Sequence, residues 1–438
     1  LQREADKLAS QSFVEWCRQR CRDLGVTDGF LDKQIFKFIS QGSYVSPFAI
    51  DAATGLRTLW TVFRNYDASE WFYFNGSVTH DWMNPVAEYL QENGVTFTML
   101  AELRSLAVNG SPQIVGYDWG PVEPHPPSSD REAPPVAVTE LTADNFGFSD
   151  LSVGLPKPYA ATQALEHAGA AQAFPPRAED IAYYISTLPL GNFWRVIKAS
   201  RLDQQHPDIR ALADNFDQRN CPRPVATLNL QAWFQDRVFP AEHKNVIAGF
   251  EPLCVMVDYK NFLPKYADDP AFPGSVLEIN GSAEEFKAYY GEERYNQIQQ
   301  PGDPDTIELA KWILSDLASR YKFSALLKAV QSDRFLTWKN RGKVPPYLWI
   351  NAHTHNGFFV TWPKSLFYRP YPDRHYTYEN LFVAGDWTRN GIDIPCMEGA
   401  ARSGRMAARG ILEKEGCKVP PDLVLDPISP PGARPAFL

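Results

Sequence analysis

The stretch LFVAGDWTRNGIDIPCMEGAARSGRMAARGIL, residues 381–412, decides which fold this sequence predicts. Its first four residues, Leu381 to Ala384, are all apolar, which is typical of a strand in the buried centre of a sheet. Gly385 and Asp386 follow where such a strand ends, and a helix is expected to begin between Pro395 and Met397. Residues 381–412 therefore predict a strand, a turn and a helix that packs against the sheet.

The predicted helix has one face of small residues and one charged face. Small side chains let a helix backbone approach what it covers, so we expect Gly404→Leu to overpack that contact by roughly 1–3 kcal/mol. The helical period predicts the inward residues Met397, Ala400, Ala401, Gly404, Ala407, Ala408 and Ile411, and the outward residues Glu398, Arg402, Arg405 and Arg409. Free N–H groups and a partial positive charge at the helix N-terminus predict a bound anion. An ordinary strand–turn–helix unit without a ligand is the alternative that periodicity leaves open.

Composition limits the class of protein. The chain has 438 residues, 44% hydrophobic and 22% charged, as in globular proteins of two or three domains. Its net charge of −9 argues against a nucleic-acid partner, because such proteins present a basic surface. The six cysteines include no C-x-x-C pair, and the sequence shows no signal peptide and no apolar run of membrane-spanning length. These features predict a reduced, cytoplasmic location, and peripheral membrane contact stays open. The start at Leu1, without a methionine, suggests upstream processing.

The remaining patterns predict a mixed order of helices and strands. Helices are expected over residues 1–70, from about Asn84 to Asn93, and from Asp303 onward with the inward stripe Ile307, Ala310, Leu314 and Leu317. Strands are expected at 92–99, 102–108, 181–190, 225–234, 252–259 and 274–279. The prolines between Pro121 and Pro135 predict an irregular surface excursion over residues 117–150. Cys17 and Cys21 lie four residues apart on the apolar face of the first helix and are expected to be buried thiols.

The order G-D-W-T followed by C-M-E-G-A-x-x-S-G-x-x-A-A resembles the C-terminal FAD-binding signature of the phytoene (carotenoid) desaturase and flavin-containing amine oxidase superfamily. The resemblance implies that Gly385 and Asp386 lie against the pyrophosphate and ribityl chain of FAD. It also implies that the backbone N–H of Met397 points at the flavin O2 edge, with Ala400 packed under the cofactor. A helix N-terminus at that edge would favour the reduced, anionic flavin by up to ~2 kcal/mol.

The resemblance extends more weakly over most of the chain. It implies that Leu103 meets the adenine through its backbone and that Thr187 to Pro189 lie near FAD. The implied fold is α/β: a Rossmann-like parallel FAD sheet, incomplete at its N-terminus, with a substrate domain of antiparallel sheet and helices. The implied organisation is substrate-domain helices at 1–72, FAD-domain strands at 73–190, a substrate domain at 191–350, a C-terminal FAD segment at 351–412 and a tail at 413–438.

The family's N-terminal G-x-G-x-x-G unit is missing from these 438 residues. Three explanations are open: a longer or processed polypeptide of which this is one fragment, a second chain that completes the FAD site, or a chain that has lost flavin binding. The first is the expectation adopted here, with an N-terminal fragment or second chain as partner.

The resemblance leaves the substrate open. Amine oxidases of this superfamily have an aromatic cage residue directly before M-E-G-A, whereas carotenoid desaturases have a small residue there, and here the position is Cys396. This favours FAD-dependent dehydrogenation of a largely apolar small molecule by hydride transfer to flavin. The alternatives are an amine or L-amino-acid oxidase and a non-catalytic flavin-fold fragment or subunit. The pocket candidates are Cys396, Trp387 and His80.

Three further groups have alternative interpretations. His353 and His355 form an H-x-H pair, but no third ligand is suggested, so no metal is expected. Cys396 is either a packing residue or a reactive thiol, because a helix N-terminus lowers a thiol pKa. Arg389 either serves an anionic substrate or is a solvated loop charge.

Overall fold

The protein is seen in a computed structural model that describes most of the helices and strands expected above. The described residues are 7–37, 39, 50–63, 83–97, 101–108, 110, 113–121, 181–205, 223–244, 247–248, 251, 253, 255–270, 272–298, 304–336, 348–360, 365–374, 378–393 and 395–424. His80 lies outside the described residues, as do residues 122–150 of the proline-rich stretch.

Eight helices and nine strands of this described part position the candidate site. The helices are α1 (Phe13–Asp23), α2 (Ala52–Phe63), α3 (Asn84–Glu92), α4 (Leu190–Ala199), α5 (Ala283–Tyr290), α6 (Pro304–Arg320), α7 (Ser324–Gln331) and α8 (Met397–Lys414). The strands are β1 (Ala101–Val108), β2 (Ile114–Pro121), β3 (Tyr184–Ser186), β4 (Arg223–Phe234), β5 (Ile247–Ala248), β6 (Val255–Asp258), β7 (Ser275–Ser282), β8 (Leu348–Val360) and β9 (Leu381–Val383). Shorter helical turns are Asp28–Phe30, Leu31–Phe36, Leu202–Gln205, Tyr259–Phe262, Pro264–Ala267, Glu292–Asn296 and Ser365–Tyr368.

A five-stranded antiparallel sheet with the strand order β5-β6-β7-β4-β8 carries the largest core. Strand β4 alternates along its length, and its side chains Leu228, Leu230 and Phe234 are fully buried. Helices α5, α6 and α7 cover this face, and the stripe predicted on α6 is buried at Ile307, Ala310, Leu314 and Leu317. The antiparallel sheet and its helices are therefore confirmed, whereas their role as a substrate domain stays a prediction.

A parallel pair of strands, β3 and β9, lies between two helical layers. Tyr184 pairs with Leu381 and Ser186 with Val383. Leu381 and Val383 point into a core shared with α4 and the β1–β2 hairpin, whereas Phe382 and Ala384 pack against α8. Because both faces are covered, β9 is apolar throughout, as its sequence predicted. The chain thus mixes parallel and antiparallel pairing in an α/β fold.

Strand β3 is shorter and more exposed than the sequence predicted. The expected strand over 181–190 pairs only at residues 184–186, and Leu190 already begins α4. Ile185 keeps 47% of its surface exposed. The apolar run therefore belongs to two elements: its first part pairs with β9, and its end starts a helix after Pro189.

The β1–β2 hairpin corrects the prediction for the first residues of the proline-rich stretch 117–150. Residues 117–121 belong to β2, which pairs antiparallel with β1, so they are not an irregular excursion. Val95 to Phe97, which were expected to form a strand, lie in no strand. The side chain of Asn380 holds the hairpin against β9: its Oδ1 accepts the Ile114 N–H at 2.8 Å, and its Nδ2 donates to the Ile114 carbonyl at 2.9 Å.

The N-terminal helices pack closely. A Cβ on Gly55 of α2 would lie 2.2 Å from the ring of Phe13 on α1, so a side chain at this position would displace one helix from the other. Cys17 is buried as expected, whereas Cys21 is only half-buried, and both are free thiols. No helix in the described part of the chain combines the length and the apolar character that a membrane crossing requires. The domain boundaries at 72, 190, 350 and 412 stay a prediction.

Helix α8 begins where the sequence predicted but is rotated about its axis. Its buried residues are Gly399, Ser403, Met406, Ala407 and Gly410. Ala407 is the one member that was predicted to face inward; the other four are offset by one position from the predicted face, which corresponds to a rotation of about 100° in an α-helix. Met397, Ala400 and Ala401 are consequently exposed, and a Cβ on Gly404 would meet no atom within 4 Å. The expectation that Gly404→Leu overpacks a contact was wrong.

Gly410→Ala is expected to lower the free energy of unfolding by about 1–3 kcal/mol through overpacking. Its Cβ would lie 2.5 Å from the carbonyl oxygen of Asp373 and 2.9 Å from Cε1 of Phe382. Gly404→Ala is the matched control on the same helix and should stabilise by up to about 1 kcal/mol, because alanine has the higher helix propensity. Equilibrium chemical denaturation followed by circular dichroism measures both changes. Equal effects at the two positions would contradict this helix orientation.

Candidate functional site

The candidate site begins at the carboxyl end of β9, where the backbone turns at Gly385. Its φ of +137° is a conformation that side chains rarely adopt, and a Cβ there would lie 2.9 Å from Nε1 of Trp387. The Gly385 N–H donates to the Ser403 hydroxyl at 2.7 Å, and that hydroxyl donates to the Ala400 carbonyl at 2.6 Å. One fully buried serine therefore fixes the turn against the first turns of α8.

Cys396 is the N-cap of α8. Its Sγ accepts the backbone N–H of Gly399 at 3.3 Å. The first helical N–H groups, those of Met397 and Glu398, have no acceptor within the helix. Burial raises the pKa of the Cys396 thiol to about 11, and the neighbouring Glu398 acts in the same direction. Burial therefore opposes the effect that a helix N-terminus has on a thiol pKa, which favours the packing interpretation of Cys396 over the reactive-thiol alternative.

Asp386 lies beside the helix terminus and is half-buried. Burial raises the pKa of its carboxyl group to about 6, although the backbone N–H of Trp387 and the positive charge of Arg369 oppose that shift. The carboxylate thus carries its charge in a poorly solvated place at the end of β9. A carboxyl group whose pKa is raised by burial in this way is a candidate for a functional site.

The loop between β9 and α8 is held by two side chains that bind its own backbone. Asn390 Oδ1 accepts the N–H groups of Ile392 and Asp393 at 2.9 and 3.0 Å. The Asp393 carboxylate accepts those of Asn390 and Gly391 at 3.1 and 3.2 Å. Asp393 itself has φ of +61°, which aspartate tolerates better than most residues. Reciprocal bonding makes this loop a rigid connection.

A buried group of charges joins this loop to the N-terminal helices. Arg57 of α2 forms an ion pair with the Asp393 carboxylate, and buried Arg369 donates to the Asp393 carbonyl at 3.2 Å. Asp51 caps α2 by accepting the Thr54 N–H at 2.8 Å and its hydroxyl at 3.0 Å. Burial raises the pKa of Asp51 to about 6 and lowers the pKa of Arg369. Because breaking such a buried group is costly, it fixes the loop firmly in place.

Trp387 lies in the core rather than on an open surface. Its ring packs on Phe193 of α4 with centroids 5.7 Å apart, and its Nε1 donates to the Leu188 carbonyl at 3.1 Å. Leu103 of β1 contacts the same core and is half-buried. Thr187 and Pro189 flank Leu188 and are exposed. The structure thus brings Gly385, Asp386, Cys396, Met397 and Ala400 together around α8, and Leu103, Thr187 and Pro189 near Trp387 on the other side of β9.

His353 and His355 lie on β8, where His353 pairs with Thr227 of β4. Within the described part of the chain, no group of three His, Cys, Asp or Glu residues could hold a metal ion. Arg389 is not simply solvated, because its guanidinium lies over the ring of Tyr371.

Sequence reasoning missed five residues that build the site: Ser403, Asn390, Asp393, Arg57 and Arg369. The serine of G-A-x-x-S-G and the asparagine and aspartate of N-G-I-D were present in the quoted stretch as local signals. Small polar side chains of this type commonly bond nearby backbone groups. Nothing local links Arg57 to Asp393, since they are 336 positions apart.

No protein-family model and no curated protein matches this chain. Among solved structures, the chain is similar to the crystal structure of an oxidoreductase from Methanosarcina mazei, with 12% sequence identity and a TM-score of 0.42. The similarity covers 92% of this chain and 68% of that one.

Asp386→Asn is expected to stabilise the protein at neutral pH but not at pH 4. Because the native pKa of about 6 exceeds the unfolded value of about 3.9, the native state holds a proton that the unfolded state releases between these pH values. The wild-type free energy of unfolding therefore falls as pH rises through this window, by about 1–2 kcal/mol after allowing for partial solvation. Denaturation of both proteins between pH 4 and 8 measures the difference, with Asp118→Asn, an exposed acid, as control. A pH-independent difference would contradict the assignment.

Ser403→Ala is expected to cost about 1–3 kcal/mol, because it leaves the half-buried Gly385 N–H without its acceptor. Ser403→Cys, which keeps a weak acceptor of similar size, should cost less. Denaturation gives the two free energies, and hydrogen exchange at the Gly385 amide should accelerate in the alanine variant. Unchanged exchange at that amide would mean that Ser403 does not hold the turn.

Proposed function

We propose that this chain is part of an FAD-dependent oxidoreductase that removes a hydride from a largely apolar organic molecule. The observation that carries the proposal is the placement of the α8 N-terminus beside the Gly385–Asp386 turn, at the carboxyl end of the parallel pair. In open sheets with parallel strands, ligands bind at that end. The family resemblance of the same residues supplies the identity of the cofactor.

The residues present fit a flat, partly anionic cofactor. Met397 and Ala400 are exposed apolar residues at the helix tip, and a Cβ on Gly404 would meet no atom within 4 Å. The N–H groups of Met397 and Glu398 have no intrahelical acceptor there. The pyrophosphate would need further donors, since the sequence contains no G-x-G-x-x-G. We propose that an N-terminal fragment or a second chain supplies them.

FAD, when bound, supplies the two-electron acceptor, and the protein supplies position and electric field. The helix tip favours negative charge at its end by up to ~2 kcal/mol. Asp386 would accept hydrogen bonds from the cofactor's hydroxyl groups. Cys396 would contribute a small neutral wall, because its thiol stays protonated and its sulfur caps the helix. A small side chain at position 396, in place of an aromatic cage residue, favours an apolar substrate over an amine.

Ala400→Leu is expected to weaken FAD binding at least about ten-fold, which corresponds to about 1.4 kcal/mol. The added side chain would occupy the surface on which the ring is proposed to pack. Arg405→Leu, at another exposed position of α8, is the matched control and should leave affinity unchanged. Quenching of flavin fluorescence on titration measures the dissociation constant, and extraction of the purified protein identifies bound flavin. Absence of both bound flavin and quenching would contradict the proposal for this chain.

The substrate class is tested by anaerobic reduction of the protein-bound flavin. Bleaching of its visible absorbance by a lipophilic polyene but not by primary amines would support the apolar assignment. Bleaching by amines or L-amino acids would overturn it in favour of the oxidase alternative. A flavin-loaded protein that no compound of either class reduces would indicate the non-catalytic subunit.

A further inference from the structure

We propose that Arg374 and Arg389 form a binding site for a phosphate group, on the surface beside the loop between β9 and α8. Both guanidinium groups lie against the ring of Tyr371. The Cζ atom of Arg374 is 4.4 Å from the ring centroid and that of Arg389 is 4.8 Å from it. Each contact is a cation–π interaction with the same ring, so the two cations lie near each other.

Neither guanidinium forms an ion pair with a carboxylate in the described part of the chain. The nearby acid Asp373 is bound by Arg409, and Glu379 lies 4.0 Å from Lys414. Two positive charges held against one ring repel each other, and an anion bound by both would relieve that repulsion. In a protein with a net charge of −9, this pair is a local group of positive charges that no carboxylate among the described residues binds directly.

The backbone fixes both arginines before any ligand binds. Residues 371–374, with the sequence Y-P-D-R, form a turn in which the Arg374 N–H donates to the Tyr371 carbonyl at 3.2 Å. Proline at the second position is favoured in such turns. The Arg389 N–H donates to the Pro370 carbonyl at 2.8 Å. The two segments are therefore tied together, and little chain entropy is lost on binding.

The chemistry of the pair selects a phosphate group. A guanidinium presents parallel N–H donors that match two oxygens of a phosphate, and two guanidinium groups balance its two negative charges. Arg374 is exposed and Arg389 half-buried, so both can be reached from solvent. A phospholipid headgroup and a soluble phosphate compound carry this same group.

Titration with inorganic phosphate at constant ionic strength, followed by the arginine Nε–Hε resonances in NMR spectra, tests the site. We expect saturable shifts of Arg374 and Arg389. Arg374→Gln and Arg389→Gln should each raise the dissociation constant at least about ten-fold. Arg195→Gln, which removes the same charge from an exposed position on α4, should leave it unchanged. Tyr371→Phe, which keeps the ring, should bind as the wild type does, whereas Tyr371→Leu should bind more weakly.

Co-sedimentation with vesicles separates the two sources of phosphate. Binding to phosphatidylcholine vesicles that contain phosphatidic acid, lost in Arg389→Gln but kept in Arg195→Gln, would identify a lipid headgroup. Saturable phosphate binding without vesicle binding would identify a soluble phosphate compound. The proposal is overturned if neither inorganic phosphate nor acidic vesicles bind, or if Arg195→Gln reduces binding as much as the two site variants. Thermal denaturation of each variant checks that it is folded.

Discussion

The hydroxyl group of Ser403 is the constraint on which the candidate site depends. It accepts the Gly385 N–H and donates to the Ala400 carbonyl, and it is fully buried. This single group fixes the end of β9 against the first turns of α8. Four residues from the other end of the helix, Gly410 approaches the backbone of Asp373 so closely that no side chain fits between them. With two such contacts, the helix cannot rotate, and Met397 and Ala400 remain outward.

Much of the fold could be predicted because local patterns determine it. The alternation in β4, the apolar stripe on α6 and the continuous apolar run of β9 each reflect one element buried against one neighbour. The face of α8 could not be predicted in this way, because alanine and glycine occur all around that helix. The orientation of α8 depends on the hydroxyl group of Ser403 and on the close approach of Gly410 to the backbone of Asp373. The spacing of apolar residues in the sequence reports neither contact. The end of the 181–190 run was misassigned for a related reason: short apolar runs suit a strand and a helix equally.

One part of the candidate site could be predicted from the sequence, and another part could not. Gly385, Asp386, Cys396 and Met397 lie in one stretch of sequence, so the turn and the helix terminus could be predicted from it. The buried charges around the loop could not, because Arg57 lies on α2 and Asp51 caps the same helix, far from the loop along the chain. The burial that raises the pKa of Cys396 could not be predicted either, because burial depends on tertiary packing, which a helix position alone does not reveal. The pairing of Arg374 and Arg389 on Tyr371 likewise needs two segments that only folding brings together.

The loop also contains an Asn-Gly pair, the dipeptide in which asparagine loses its amide most easily. That loss begins when the glycine nitrogen attacks the asparagine side-chain carbonyl to form a five-membered ring. Here the Gly391 N–H is held by the Asp393 carboxylate, and the Asn390 side chain is fastened at both of its polar atoms, so the two reacting groups cannot meet in the folded protein. Deamidation at Asn390 would therefore proceed only while the loop is open, and its slow accumulation in stored protein would record how often that opening occurs.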